Sequence, residues 1–286
     1  MSVIYGGTHV DEKYSSLLEP NLYADSVFAD GLTFTSKYET GPAGGIYVHK
    51  LVSNPVAVGT PGRDFSDEVT TDTLIPIIMN NNYQKSKKAY GVTVENIEAD
   101  VADGMIEDAM SEVAESWTLS GLACLVSEAG VTASTTSSVT TANLKKLVLA
   151  DRKGIVAKKG KPDTILFSPD AFAVLLEGFG SEYTPTINDA VNRDGQVGKW
   201  LGMNVIECPA LASATGSYYD STGTLTTATF SKVDYIMYNH EALSIIPNFE
   251  RSRVIESENF NGIKAQVEMN AGFKVTNPDL VVAKKH

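Results

Sequence analysis

The sequence predicts an α+β fold, and three observations carry that prediction. A broad apolar stripe with helical spacing runs through residues 96–129, strict apolar–polar alternation runs from Ile263 to Val275, and a compact α/β pattern fills about 141–245 between them. The long helix would span ~45 Å at 1.5 Å per residue, and the long strand ~43 Å at ~3.3 Å per residue. Elements of matching length, each far above the usual size, point to one elongated helix-on-strand layer beside a separate compact unit.

The chain has 286 residues, 43% of them hydrophobic, enough for a real core and for about two domains. Its 23 Lys+Arg against 35 Asp+Glu give a net charge of −12, which argues against a general nucleic-acid binder. No apolar run approaches the ~18 residues of a membrane span, and Met1 to Asp30 has neither the basic nor the apolar region of a secretory signal. Cys124 and Cys208 stand alone, without CxxC or zinc spacing, which fits a reducing cytosol better than a disulfide framework.

Residues 1–36 scatter Tyr5, Tyr14, Leu17, Leu18, Leu22, Tyr23, Phe28 and Phe34 among polar residues, with short helical periodicity at 11–19 and 23–30. Such an arm buries its anchors either on its own domain or on another molecule. Residues 37–88 are punctuated by Gly41-Pro42, Gly44-Gly45, Asn54-Pro55 and Gly59-Thr60-Pro61-Gly62, with extended pieces at Ile46–Val48 and Leu51-Val52. A two-stranded ribbon is marginal alone in water, so this segment folds back on its own body or lies on a neighbour.

In the long helix Ile97, Val101, Met105, Ala109, Val113 and Trp117 follow at spacing four, and Ala102, Ile106, Met110 and Ala114 form a second row. Its charge is one-sided: Glu95, Glu98, Asp100, Asp103, Glu107, Asp108, Glu112, Glu115 and Glu128 are acidic, and no Lys or Arg occurs between Lys88 and Lys145. Spacings of three and four would let Asp100, Asp103 and Glu107 hold a metal, but a solvated acidic face is the simpler reading. After a Ser/Thr linker, a basic amphipathic helix over about 141–159 turns Leu144, Leu147, Val148, Ile155 and Val156 inward and carries Lys145, Lys146, Arg152, Lys153, Lys158 and Lys159. Nucleic-acid contact is one reading of this cluster; a salt-bridged or subunit-contacting face suits the acidic whole better.

Thr164–Phe167 reads as a buried strand, and Ser168-Pro169-Asp170 as an N-cap, a first-turn proline and a first-turn acid opening a helix to Glu177. Capping accounts for all three residues, so Ser168 is not taken as a nucleophile. A long polar loop, 178–200, is followed by a strand at Met203–Ile206, a surface hairpin within 212–229, and strands at Val233–Tyr238 and Leu243–Ile246.

Positive signs of catalysis are missing. The four histidines show no HExxH spacing; no phosphate loop, dinucleotide fingerprint or GxSxG elbow is present, and no cofactor or metal site is expected.

In order, these parts resemble the major capsid proteins of tailed bacteriophages, which have the Hong Kong 97-type fold that encapsulin shells share. The resemblance rests on "TILFSPDAFAVLLE" (Thr164 to Glu177), "GKWLGMNVIECPAL" (Gly198 to Leu211) and "GIKAQVEMNAGFKVTNPDLVVAK" (Gly262 to Lys284), together with the arm, ribbon and long helix. It implies an N-terminal arm at 1–36, an extended loop at 37–88, a peripheral domain from 89–140 and 246–286 with the spine helix and long strands, and an axial domain at 141–245.

It also implies a structural protein rather than an enzyme: a subunit that self-assembles as hexamers and pentamers into an icosahedral head shell around double-stranded DNA, assembled in the bacterial cytoplasm. The implied partners are further copies of the chain, a portal, decoration proteins and the packaged DNA, which is enclosed without sequence-specific binding. Because the arm begins within a few residues of Met1, the scaffolding protein is expected to be separate. Expected contact residues are Arg63, Asp64, Asp67 and Glu68 at the loop tip, Asp194 and Trp200 near the capsomer axis, and Arg251 and Arg253 facing a neighbour's acids. Lys50 lies in the loop segment from which some members cross-link to a neighbour's asparagine. The rivals are an encapsulin, a monomeric carboxylate-dependent hydrolase, and a cell-surface or tail structural protein.

Overall fold

The structure, a computed structural model, describes residues 2–5, 8–11, 27–28, 31–38, 44–52, 71–90, 101–179, 184–185, 196–213, 215–256, 259 and 261–286. Its strands are β1 (Ser2–Tyr5), β2 (Thr8–Asp11), β3 (Gly45–Val52), β4 (Thr71–Ile78), β5 (Asn81–Tyr90), β6 (Thr164–Phe167), β7 (Thr184–Pro185), β8 (Gln196–Trp200), β9 (Met203–Glu207), β10 (Thr215–Tyr219), β11 (Leu225–Thr229), β12 (Val233–Tyr238), β13 (Leu243–Glu256), β14 (Gly262–Val275) and β15 (Val281–Lys285). The α-helices are α1 (Val101–Ser127), α2 (Leu144–Ala157) and α3 (Pro169–Phe179).

The alternating segment forms β14, the central strand of an antiparallel sheet in the order β13-β14-β5. Ala265, Val267, Ala271, Phe273 and Val275 are buried, and of the residues between them only Gly272, which Ile77 and Ile78 approach closely, is buried as well. Helix α1 lies on that apolar face: Met105 packs with Ala89 and Ala265, and Ala109 and Val113 pack with Val267. The expected second row sits at the margin of this contact, with Met110 exposed. Ile97 and Asp100 lie outside the described residues.

Further along α1, Leu122, Ala123, Cys124, Leu125 and Val126 are all buried in the main core. Phe28 and Phe34 meet Trp117 edge-on at centroid distances of 5.9 and 6.0 Å. Val27, Phe28 and Phe34 therefore pack on their own chain, one of the two outcomes left open for the arm; of the helical stretch expected at 11–19, Asp11 ends β2 and the rest lies outside the described residues. Gly121 is required by this packing, because a Cβ there would stand 2.6 Å from the Phe28 ring.

The compact unit is a six-stranded mixed sheet in the order β15-β12-β6-β9-β8-β7. Ile165, Phe167, Val205, Tyr235 and Met237 face α2 and α3, while Leu166, Ile206, Ile236 and Tyr238 face the main core shared with α1. The Ser168 Oγ accepts a hydrogen bond from the Ala171 N–H at 3.3 Å, so the expected cap is in place as α3 opens at Pro169. The hairpin β8–β9 turns through Leu201 and Gly202, both at positive φ (50° and 78°), the backbone of a tight two-residue turn. The expected hairpin in 212–229 is β10–β11, which lies against α1: Ser120 Oγ donates to the Ser217 carbonyl at 2.8 Å.

Two expected boundaries are corrected. Residues 81–88, assigned to the extended loop, belong to β5 and pair with β14 from Asn81↔Ala271 to Lys88↔Lys264. Here Lys85 and Lys87 face the acidic helix, an attraction that a loop reading of their polarity misses. Residues 281–285, assigned with the long strands, form β15 and pair antiparallel with β12 in the other sheet. Val281 and Val282 are completely buried there, one on each side of the sheet, which holds the strand in place.

Candidate functional site

The ribbon β3–β4 has two unlike faces. Its pairing places Tyr47, His49 and Leu51 opposite Pro76, Leu74 and Asp72 on one face, and Ile46, Val48 and Lys50 opposite Ile77, Ile75 and Thr73 on the other. The second face is anchored: Val48 and Ile77 are buried with Met79 and Ile246, and Tyr38 packs beside them. On the first face Tyr47, Leu51 and Leu74 remain 62%, 67% and 52% exposed, with a hydrogen bond between His49 Nδ1 and Asp72 Oδ2 at 2.5 Å. Three large apolar side chains thus share one face of a two-stranded ribbon that the described residues leave exposed.

Beside the ribbon's root lies an open cleft of about 430 Å³, lined by Lys37, Lys50, Lys158, Lys159 and Lys161 with the Tyr38 ring. Lys37 pairs with Glu241 at 3.3 Å, Lys158 with Asp279 at 3.6 Å, and Lys50 donates to the Asn277 Oδ1 at 2.8 Å. Lys50 therefore meets an asparagine side chain within its own chain.

Arg251 and Arg253 stand on the face of the three-stranded sheet away from α1, lining an open cavity of about 470 Å³ with Gln84, Ser86, Gln266 and Glu268. Arg253 Nε donates to Gln266 Oε1 at 2.8 Å, and Glu268 accepts from Asn82 and Gln84 at 3.1 and 3.0 Å. Both arginines remain exposed.

Trp200 requires a correction. Expected on a contact surface, it is 2% exposed, with its ring 6.5 Å from Phe167 in the core beneath α2 and α3. The alternation in β8 that buries Gly198 also turns the indole inward. Arg63, Asp64, Asp67, Glu68 and Asp194 lie outside the described residues.

The acidic helix is partly neutralised by the sheet. Lys87 pairs with both Asp108 and Glu112, at 2.9 Å to Glu112 Oε1, and Lys85 pairs with the other Glu112 oxygen. Lys85 first, then Lys87, hold the Glu112 carboxyl below its ordinary range. Among the described residues no group of three or more His, Cys, Asp or Glu side chains is placed to hold a metal. Sequence reasoning did not single out these lysines. The alternation of Lys85 and Lys87 just before the acidic run was the available signal.

The profile of the phage capsid protein family matches residues 82–283, and the chain belongs to that family. No curated protein matches in sequence. Among solved structures, the capsid of cyanophage P-SCSP1u is similar with a TM-score of 0.72 at 11% identity, covering 99% of this chain and 96% of that one. The mature capsid of bacteriophage PhiM1 gives a TM-score of 0.67 at 13% identity, covering 97% and 92%. The capsid of Ralstonia phage GP4 gives 0.67 at 10% identity, covering 100% and 98%. At these identities the likeness establishes the fold, which is the Hong Kong 97 type.

Proposed function

We propose that this phage capsid protein is the major subunit of a tailed-phage head shell, assembling as hexamers and pentamers around double-stranded DNA. The uncovered apolar face of the β3–β4 ribbon is the observation that carries the reading. Tyr47, Leu51 and Leu74 have no cover from the chain's own described residues, and another copy supplies it at no further design cost. A closed shell repeats such a contact many times, so individually weak contacts accumulate. In this reading residues 141–245 with β15 form the axial domain, α1 and the three-stranded sheet form the peripheral domain, and the ribbon is the base of the extended loop. The work is structural, and the portal, scaffolding and decoration proteins are the expected partners during assembly in the host cytoplasm.

The test is particle mass and shape, by light scattering after size exclusion and by negative-stain microscopy, on protein expressed with and without its neighbouring genes. Uniform shells tens of nanometres across are expected on the scale of such assemblies, with DNA rather than a cargo enzyme inside. A monodisperse monomer in both samples overturns the reading, and a protein cargo replaces it with an encapsulin.

A further inference from the structure

The cleft beside the ribbon's root gathers more positive charge than its own surroundings answer. Lys37, Lys50, Lys158, Lys159 and Lys161 line it, five of the 23 basic residues of a chain with a net charge of −12. All five are exposed. They come from the residues before the ribbon, from β3 and from the turn after α2, so the fold and not one run of sequence brings them together. Two carboxylates face them: Glu241 pairs with Lys37, and Asp279 with Lys158. Lys50 meets the neutral side chain of Asn277, and Lys159 and Lys161 pair with no carboxylate among the described residues. Three of the five charges are thus left uncompensated in one opening.

Helix capping does not account for the cluster. A helix C-terminus favours cations, yet the last carbonyls of α2 are already taken by backbone: the Lys158 and Gly160 N–H groups donate to Ile155 and the Lys159 N–H to Val156. Lys37 and Lys50 belong to no helix end. Lys159 sits at φ 63°, the left-handed backbone that suits glycine or asparagine after a helix and strains a residue with a longer side chain. The turn is also fixed in place, because Gly160 closes on Leu280 and Asn239 Nδ2 donates to the Lys161 carbonyl at 2.8 Å. Backbone strain kept at a charged side chain beside a cleft points to a ligand.

We propose that this cleft binds consecutive phosphate groups, those of a polyphosphate or of a nucleic-acid backbone. Crowded positive charge within about 430 Å³ matches an anion whose charges are equally crowded. Linked phosphates carry charge on adjacent groups, whereas acidic side chains on one face of an extended peptide recur every second residue, about 6.6 Å apart. Lysine ammoniums suit phosphate as mobile point charges with three donors each. Lys50 belongs to the ribbon and Lys159 and Lys161 to the compact unit, so a bound phosphate run ties one to the other. The site goes beyond the shell reading and does not depend on it.

The test is calorimetric titration of the full chain with sodium tripolyphosphate at fixed low salt. Saturable binding of one anion per chain is expected. Lys159→Gln with Lys161→Gln is expected to weaken it about tenfold or more, the scale of lost hydrogen bonds to a charged group. Lys146→Gln with Lys153→Gln removes the same charge from exposed positions of α2 outside the cleft, and is expected to leave the affinity within about twofold. Lys159→Gly is expected to bind more weakly while unfolding at no lower temperature, since the strained backbone is relieved; misfolding would not produce that split. Wild-type affinity in either cleft variant overturns the proposal, as does an equal loss in both glutamine pairs or the absence of saturable binding. A short DNA duplex that displaces tripolyphosphate at equal phosphate concentration assigns the site to a nucleic-acid backbone, and one that does not assigns it to free polyphosphate. Displacement by oligoglutamate at equal charge overturns the phosphate reading in favour of an acidic peptide.

Discussion

Glu128, one residue past the end of α1, accepts a hydrogen bond from Lys274 Nζ at 2.7 Å, and its second oxygen accepts from the Val275 backbone N–H at 2.9 Å. Tyr218 OH donates to the same carboxylate at 3.2 Å, so one side chain joins the helix, the long strand and the β10–β11 hairpin. Only 15% of it is exposed. Replacing Glu128 with Ala leaves the Lys274 charge and two donors without a partner in a mostly dry site. The expected loss is about 2–4 kcal/mol by urea unfolding; a loss under about 0.5 kcal/mol, the scale of an exposed pair, would show that the junction is held by apolar packing alone.

Acidification should loosen the sheet from α1. Lys85 and Lys87 hold the folded Glu112 carboxyl below its ordinary range, so the protonated form is disfavoured in the native state. The contribution is complete above the unfolded glutamate value and is lost as pH falls through the lowered folded value. Thermal midpoints followed from about pH 7 to about pH 3 should therefore fall more steeply in wild type than in Glu112→Gln. Parallel curves would show that these pairs add nothing.

Gly216 lies where β10 crosses α1, and a Cβ there would stand 2.5 Å from the Leu119 carbonyl oxygen and 2.6 Å from the Phe230 ring. The neighbour on one side is helix backbone, which cannot step aside. Gly216→Ala is expected to cost about 1–3 kcal/mol, as overpacking does, read as a lower denaturant midpoint. Gly223, at positive φ with nothing near its Cβ position, fails differently: an alanine there strains only the turn.

The ribbon separates folding from assembly. Leu51→Asp with Leu74→Asp changes only side chains that are more than half exposed. The thermal midpoint of the unassembled chain is expected to stay within about 2 °C, since surface changes rarely exceed ±0.5 kcal/mol. Particle yield in the microscope is expected to collapse. Full yield would mean that this face looks into solvent in the finished particle.

The large elements were legible because period alone decides them. Spacing four over Met105, Ala109 and Val113 and period two from Ile263 to Val275 have few other solutions, and the cap at Ser168 follows from three adjacent residues. Pairing across distance was not legible. That β5 and β15 leave their neighbours in sequence to join other strands depends on Lys87 finding Asp108 and on Val282 finding the α2 core. The same holds for Asp151, buried at 2% exposure, which accepts from Tyr235 OH and from the Ser134 N–H, both at 2.6 Å. Nothing local distinguishes that aspartate from a surface one. Trp200 misled for the related reason that an aromatic beside a polar loop reads as exposed until its strand's partner is known.

Helix α1 gives its first half to the three-stranded sheet and its second half to the core beneath the six-stranded one. Mechanically it is a strut fixed at both ends, about 40 Å long at 1.5 Å per residue. A load on the compact unit is carried along the strut into the long sheet instead of opening a hinge between them. Each copy then behaves as a rigid tile, and differences in curvature from one lattice position to another fall on the compliant parts at its margin, the two-stranded ribbon above all.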